Sequence, residues 1–320
     1  PYRNPVVESM EQWTVSTPVV LFIYNRPATT RAVFQQIAAV EPDDLYVVAD
    51  GPAEDATRGD VEAAREVIEV DWDCTVHRNF ADENMGLRER FSSGLEWVFE
   101  DVDQAIILED DVLPNCYFFR FCQEMLEEYA SDDRVMEVTG YNPLEQWKSA
   151  HQQYHFSLLG GIWGWATWAD SWSSYDPEMS LWADEEIKDR VRDSLCHGGL
   201  YLRKKRFFEK VYSGGLNTWD YQWQFTRFVN SGLSVVPARN LVRNIGFGSE
   251  ATNTASLSDP RADLNRHEIS FPIERRPDVV VDRDYETQFF EEVLQGRFER
   301  YLPPSVYAQL LRYRSKLKGF

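Results

Sequence analysis

The 320-residue sequence predicts an α/β fold with a mostly parallel sheet flanked by helices. Three observations carry that expectation. Apolar runs of strand length recur, and they are continuous rather than alternating, which implies burial on both faces. Segments with helical apolar spacing separate them. Polar residues gather where each strand should end, the edge at which open α/β sheets bind ligands.

The elements follow in order. PVVLFIY, from Pro18 to Tyr24, reads as the first strand and is broken by Asn25-Arg26-Pro27. Thr29 to Val40 then places Val33, Ile37 and Val40 on one side of a helix. LYVVAD, Leu45 to Asp50, is the second strand and stops at Gly51-Pro52. Asp60 to Val70 is a helix with Val61, Ala64, Val67 and Ile68 inward. CTVHRNF is the third strand, Leu87 to Phe99 the third helix, QAIILE the fourth strand and Tyr117 to Tyr129 the fourth helix. Right-handed crossovers would align these strands and bring their C-terminal ends to one edge. Beyond Tyr141 the pattern changes. GGIWGWATW, Gly160 to Trp168, is rich in Gly and Trp. Asp184 to Tyr212 reads as two charged helices around Gly198-Gly199, and Trp219 to Asn230 as another. LSVVPARNLV gives one or two short strands, and NIGFGSEATNT a Gly-bearing loop. Ser256 to Arg283 has no clear period, and the chain after Pro304 reads as helical.

A net charge of -20 excludes nucleic acid as an expected partner, because phosphate contact needs a basic face. Cys74, Cys116, Cys122 and Cys196 lack CxxC spacing and read as free thiols in a reducing, cytoplasmic setting. No segment approaches the roughly 20 apolar residues of a membrane span. The tail cations Arg312, Arg314, Lys316 and Lys318, interleaved with apolar residues, have two readings. One is an ordinary last helix with cations at its C-terminus; the other is weak peripheral contact with the inner face of an anionic membrane. The five histidines show no metal spacing, and His151 and His155 read as surface residues.

Glu109-Asp110-Asp111 ends the fourth strand. Three adjacent carboxylates repel if all are ionised, and a hard divalent cation, Mn2+ or Mg2+, relieves this. The bland alternative is a solvated acidic turn; the buried strand before it and Val112-Leu113-Pro114 after it favour a site. Trp163-Gly164-Trp165 suits packing against a sugar face and equally suits a core.

PVVLFIYNRP, VVADGP, ENMGL and IILEDDVLP occur in that order. The set resembles nucleotide-sugar glycosyltransferases of the GT-A type. The EDD form of the DxD motif is similar to that of the N-acetylglucosaminyltransferase I family, and GGIWGWATW, NTWDYQW and NIGFGSEATNT resemble a bacterial HlpA-like group. The resemblance spans about Pro18 to Thr254. It implies a donor-binding half at 18–140 and an acceptor-side catalytic half at 141–255 of one domain. An N-terminal extension at 1–17 and a C-terminal extension at 256–320 would flank it. It implies a nucleoside-diphosphate sugar donor, with UDP the expected nucleotide and GlcNAc the expected sugar. The acceptor would be a glycan or lipid-linked glycan, and transfer would invert.

By the same resemblance Tyr24, Asn25 and Arg26 would line the nucleotide pocket, and Asp50-Gly51 would meet the base or ribose. Asn84, Gly86 and Leu87 would close over the nucleotide, and Arg88 would reach a phosphate or sugar. Glu109 would hold the ribose, Asp110 the donor sugar or water, and Asp111 the metal. Asp220 would be the general base, with Glu250 as substitute; the bland alternative for Asp220 is a helix cap. The group's pattern has His where Asn253 stands, so Asn253 would be a weaker metal ligand. Two other readings remain. One is a sugar-nucleotide nucleotidyltransferase, disfavoured because YNRPATTR lacks the glycines that hold a triphosphate. The other is an inactive sugar- or cation-binding module.

Overall fold

The computed structural model describes residues 13–195, 197–247, 261, 263–294, 306 and 309. The first half runs β1 (Val19–Ile23), α1 (Pro27–Ala38), β2 (Asp44–Ala49), α2 (Arg58–Glu66), β3 (Thr75–Phe80), α3 (Leu87–Phe99), β4 (Gln104–Glu109), β5 (Val112–Pro114) and α4 (Cys116–Tyr129). The second half adds β6 (Val135–Thr139), β7 (Tyr154–Ser157), β8 (Trp165–Trp168) and α5 (Ala169–Trp172). It continues with α6 (Glu185–Ser194), α7 (Gly198–Tyr212), α8 (Asp220–Val229), β9 (Leu233–Pro237), β10 (Val242–Asn244) and α9 (Arg283–Phe289). Pro27 opens α1, where its missing N–H costs nothing. Asn115 caps α4 by accepting from the Phe118 N–H at 3.2 Å.

The fold is a mixed α/β sheet flanked by helices. Among the described residues its strand order is β3-β2-β1-β4-β8-β6-β9-β7. The pairs β1–β2, β2–β3, β1–β4 and β6–β9 are parallel, while β8 and β7 run against their neighbours. The chain winds outward from β1 to β3, then returns to lay β4 on the other side of β1. That reversal leaves a crevice beyond the C-terminal ends of β1 and β4. A small antiparallel pair, β5 with β10, closes one side of it.

The apolar strands explain the layering. Val19, Leu21 and Ile23 point into one core with Val33 and Ile37 of α1 and Phe118, Phe121 and Met125 of α4. Val20 and Phe22 point into the other with Phe91 and Leu95 of α3. This is the two-faced burial that the unbroken apolar runs implied.

β6 was not legible because Glu137 interrupts its apolar run. That carboxylate is fully buried. It accepts from Trp223 Nε1 at 2.8 Å and from the Gly161 N–H at 3.1 Å, and Arg227 Nε lies 3.3 Å away. Arg227 also donates to Ser234 Oγ at 2.7 Å and to the carbonyls of Leu158 and Leu159. The ion pair therefore ties β6, β9, α8 and the Gly160-Gly161 turn together. Gly160 holds φ +51°, and a Cβ there would stand 2.1 Å from the Glu137 carboxylate. Only glycine meets both constraints.

One sequence reading needs correction. His155 is not a surface residue: it lies in β7, 1% exposed, with its ring 4.1 Å from that of Tyr285. Burial pushes its imidazole down to about 3, so it is neutral. Gly160 to Trp168 is also partly strand, as β8. The end of the irregular stretch and α9 clasp the sheet edge: the Asp282 N–H donates to the Phe156 carbonyl at 2.8 Å, and Glu286 of α9, buried, accepts from the Leu158 N–H at 2.7 Å. Cys74, Cys116 and Cys122 are free thiols. Among the described residues no helix is long and apolar enough to cross a membrane. The tail cations, Glu250, Asn253 and Cys196 lie outside the described residues.

Candidate active site

A cavity of about 680 Å³ opens at the crevice. Its wall includes Tyr24, Asn25 and Arg26 after β1, Glu109, Asp110 and Asp111 after β4, and Asp220 at the start of α8. The three acids therefore face the same space as Asp220, not bulk water.

The acidic tip is held by named contacts. The Tyr24 N–H donates to Asp110 Oδ2 at 3.1 Å. Arg26 Nη1 donates to Asp111 Oδ2 at 2.8 Å and stands 3.8 Å from Asp110. On the far side, the Ile245 N–H donates to the Asp111 carbonyl at 2.7 Å, and Asn244 Nδ2 stands 3.4 Å from Asp111 Oδ1. Gly246 allows this approach, because a Cβ there would lie 2.2 Å from Asp111 Oδ2. Electrostatics is the unusual feature. Burial, then the charges of Asp111, Asp110 and Asp220, push the Glu109 carboxyl well above its ordinary range. Burial and then Asp111 push Asp110 up to about 7. Burial also raises Asp111 against the opposing pull of Arg26. The tip is short of positive charge, with Arg26 the cation that acts on all three.

That donor set suits a hard divalent cation: carboxylate oxygens, partly buried, with one guanidinium as counter-charge. Among the described residues, no three His, Cys, Asp or Glu side chains form a preassembled cage. An ion there would draw its remaining ligands from a substrate.

Asp220 sits in the first turn of α8. Thr218 Oγ1 donates to its Oδ1. Burial pushes the Asp220 carboxyl above the ordinary aspartate range, against the pull of Thr218 and Lys204. A partly desolvated carboxylate on a rigid helix end is suited to accept a proton.

Other expected residues behave differently. Asp50 accepts from the N–H groups of Gly51 and Met85 at 2.8 Å, of Gly86 at 3.1 Å, and from Asn84 Nδ2 at 3.0 Å. Asp50 lines the cavity and at the same time holds the 84–86 turn. Gly51 is packed against the Glu83 backbone and does not line the cavity. Asn84, Gly86 and Leu87 do line it. Arg88 points away to Glu178 at 3.7 Å, because α3 turns Leu87 and Phe91 toward the sheet. Trp165 is fully buried and stacks on Trp219 at 5.5 Å, so it belongs to the core. Trp163, one residue before the β8 turn closes, stays on the cavity wall beside Tyr141.

One part of the wall was not foreseen. It carries Arg203 and Lys204 of α7 and Arg261. Burial, then the charge of Arg203, pushes Lys204 down to about 7. The only sequence cue was LRKKRFF, which reads as an ordinary charged helix. The sign of the stability effect follows from the shift. The folded state disfavours the charged lysine, so the penalty is full below about pH 7 and disappears as pH rises toward the ordinary lysine value. Lys204→Met is therefore expected to raise the Tm of the ligand-free protein by about 2 °C or more at pH 6 and to have no such effect at pH 10. Thermal scans at the two pH values check this.

No family model matches the chain, and no curated protein matches it. Solved structures resemble it loosely. One is TarS 1-349 of S. aureus, at 12% identity and a TM-score of 0.40, covering 72% of this chain and 60% of that one. Another is a mannosyltransferase of Pyrobaculum calidifontis in complex with GDP-Man and Mn2+, at 16% identity and a TM-score of 0.33, covering 49% of this chain and 45% of that one. A third is the 4-diphosphocytidyl-2C-methyl-D-erythritol synthase of Anaerococcus prevotii, at 8% identity and a TM-score of 0.31, covering 53% and 78%. The chain thus spans about three fifths of the TarS fragment and under half of the mannosyltransferase.

Proposed function

We propose that this protein is a GT-A-type glycosyltransferase. It would move a sugar from a nucleoside-diphosphate donor, UDP in the first instance, to a hydroxyl of a glycan acceptor, with inversion. The observation that carries this reading is the shared cavity: an acidic tip short of positive charge at the β1–β4 switch point lines the same space as a buried aspartate on a helix end. The cavity volume is in the range of small-molecule sites, roughly 300–1,000 Å³.

In this reading Asp111, with Asp110 beside it, would hold Mn2+ or Mg2+, and the ion would supply positive charge to a departing diphosphate. Tyr24, Asn25 and Arg26 border the nucleotide, and Glu109 meets the ribose. Trp163 packs on a sugar face. Asp220 takes the proton of the attacking hydroxyl on the side away from the leaving group. Asp50 keeps the 84–86 turn in place at the rim.

A donor screen without acceptor tests the reaction class. UDP- and GDP-sugars are incubated with the protein and Mn2+, and release of nucleoside diphosphate is followed. Slow release from one donor is the expected result, since transferases leak to water. Silence across all donors would favour an inactive binding module. Synthesis of a nucleotide-sugar from UTP and a sugar phosphate would favour a nucleotidyltransferase.

A further inference from the structure

We propose that Arg203 and Lys204 form a subsite for an anionic group, a phosphate or carboxylate, carried by the acceptor. The inference rests on the transferase reading above and deepens it.

Both side chains line the cavity. Neither has a hydrogen bond or ion pair among the described residues, although the chain is strongly acidic and Arg26, Arg120, Arg134 and Arg227 are all paired. The Arg203 guanidinium lies 5.8 Å over Phe207, and Phe207 stacks on Tyr221 at 4.8 Å, the residue after Asp220. Arg261 adds a further positive charge, 5.6 Å over Trp163. Arg203 and Lys204, drawn partly out of water in one cavity, are costly without a counter-charge. A bound anion would supply it.

Packing places the cations on the Asp220 side of the cavity. Arg203 and Lys204 sit on α7, and Phe207 of the same helix stacks on Tyr221, the residue after Asp220. The three acids sit instead at the end of β4, where Arg26 pairs with Asp111. The donor diphosphate belongs at that acidic tip. An anion at the α7 wall beside Asp220 therefore belongs to the other substrate.

Calorimetry on the full chain tests this, with UDP and Mn2+ saturating. Glucose 6-phosphate and glucuronate are titrated against glucose. One of the anionic sugars is expected to bind at least about 10-fold more tightly than glucose, and Arg203→Gln or Lys204→Met to remove most of that preference. UDP affinity in the variants should stay within about 2-fold, on the same affinity scale. Equal binding of all three sugars overturns the proposal. So does competition between UDP and inorganic phosphate, or an equal loss of UDP affinity in the variants, because the cations would then serve the donor. If UDP fails to bind but the anionic preference and its loss in the variants persist, the subsite stands and the transferase reading falls.

Discussion

Asp220→Asn is expected to lower turnover by about 10²- to 10⁴-fold while leaving nucleotide affinity nearly unchanged, the range of a lost general base. Asparagine keeps the size of the side chain and the Thr218 contact but has no basic oxygen. The pH profile gives an independent check. Burial holds the Asp220 carboxyl above the ordinary aspartate range. Activity should therefore fall in acid along a limb centred above the usual value of about 4. The Thr218 hydroxyl stabilises the ionised form, so Thr218→Ala should move that limb to higher pH. Steady-state rates between pH 4 and 9 for the wild type and both variants read all three outcomes. An Asp220→Asn protein with near-normal turnover would remove the aspartate from the chemistry.

Arg227→Ala is expected to destabilise the fold by about 3–5 kcal/mol, the cost of stranding the partner of a buried ion pair. Glu137 would lose its counter-charge while remaining fully buried. The same substitution frees the carbonyls of Leu158 and Leu159 from their donor, so the Gly160-Gly161 turn on the cavity wall should loosen as well. Pairing Arg227→Met with Glu137→Gln should recover part of the loss, since no unpaired charge remains. Urea unfolding of the two proteins makes the comparison. A cost below about 1 kcal/mol, the level of an exposed pair, would show that the pair is not structural.

The strand-end part of the cavity was readable from sequence because its residues sit at the ends of strands that announce themselves. A short unbroken run such as Val19–Ile23, stopped by Asn25-Arg26-Pro27, favours a strand buried on both faces, and Asn25, Arg26 and Glu109–Asp111 follow from where such strands stop. The other half resisted for definite reasons. β6 is hidden by Glu137, whose partner lies 90 residues further along the chain. Trp163 and Trp165 are chemically alike in sequence, and two residues apart on one strand they would share a face; Gly164 between them, at φ +61°, breaks the strand so that one faces the cavity and the other the core. Asp50 was legible as a strand-end residue and lines the cavity, but nothing local showed that the backbone N–H groups of residues 85 and 86 also bind it. Arg203 and Lys204 were silent because a cation on a helix says nothing about which wall the helix will form.

The most direct test of the central claim is calorimetric binding of UDP, with and without Mn2+, to the wild type and Asp111→Ala. The expected result is wild-type binding strengthened at least about 10-fold by the ion, with that gain abolished in Asp111→Ala. Binding that is indifferent to the ion and the same in both proteins would contradict it.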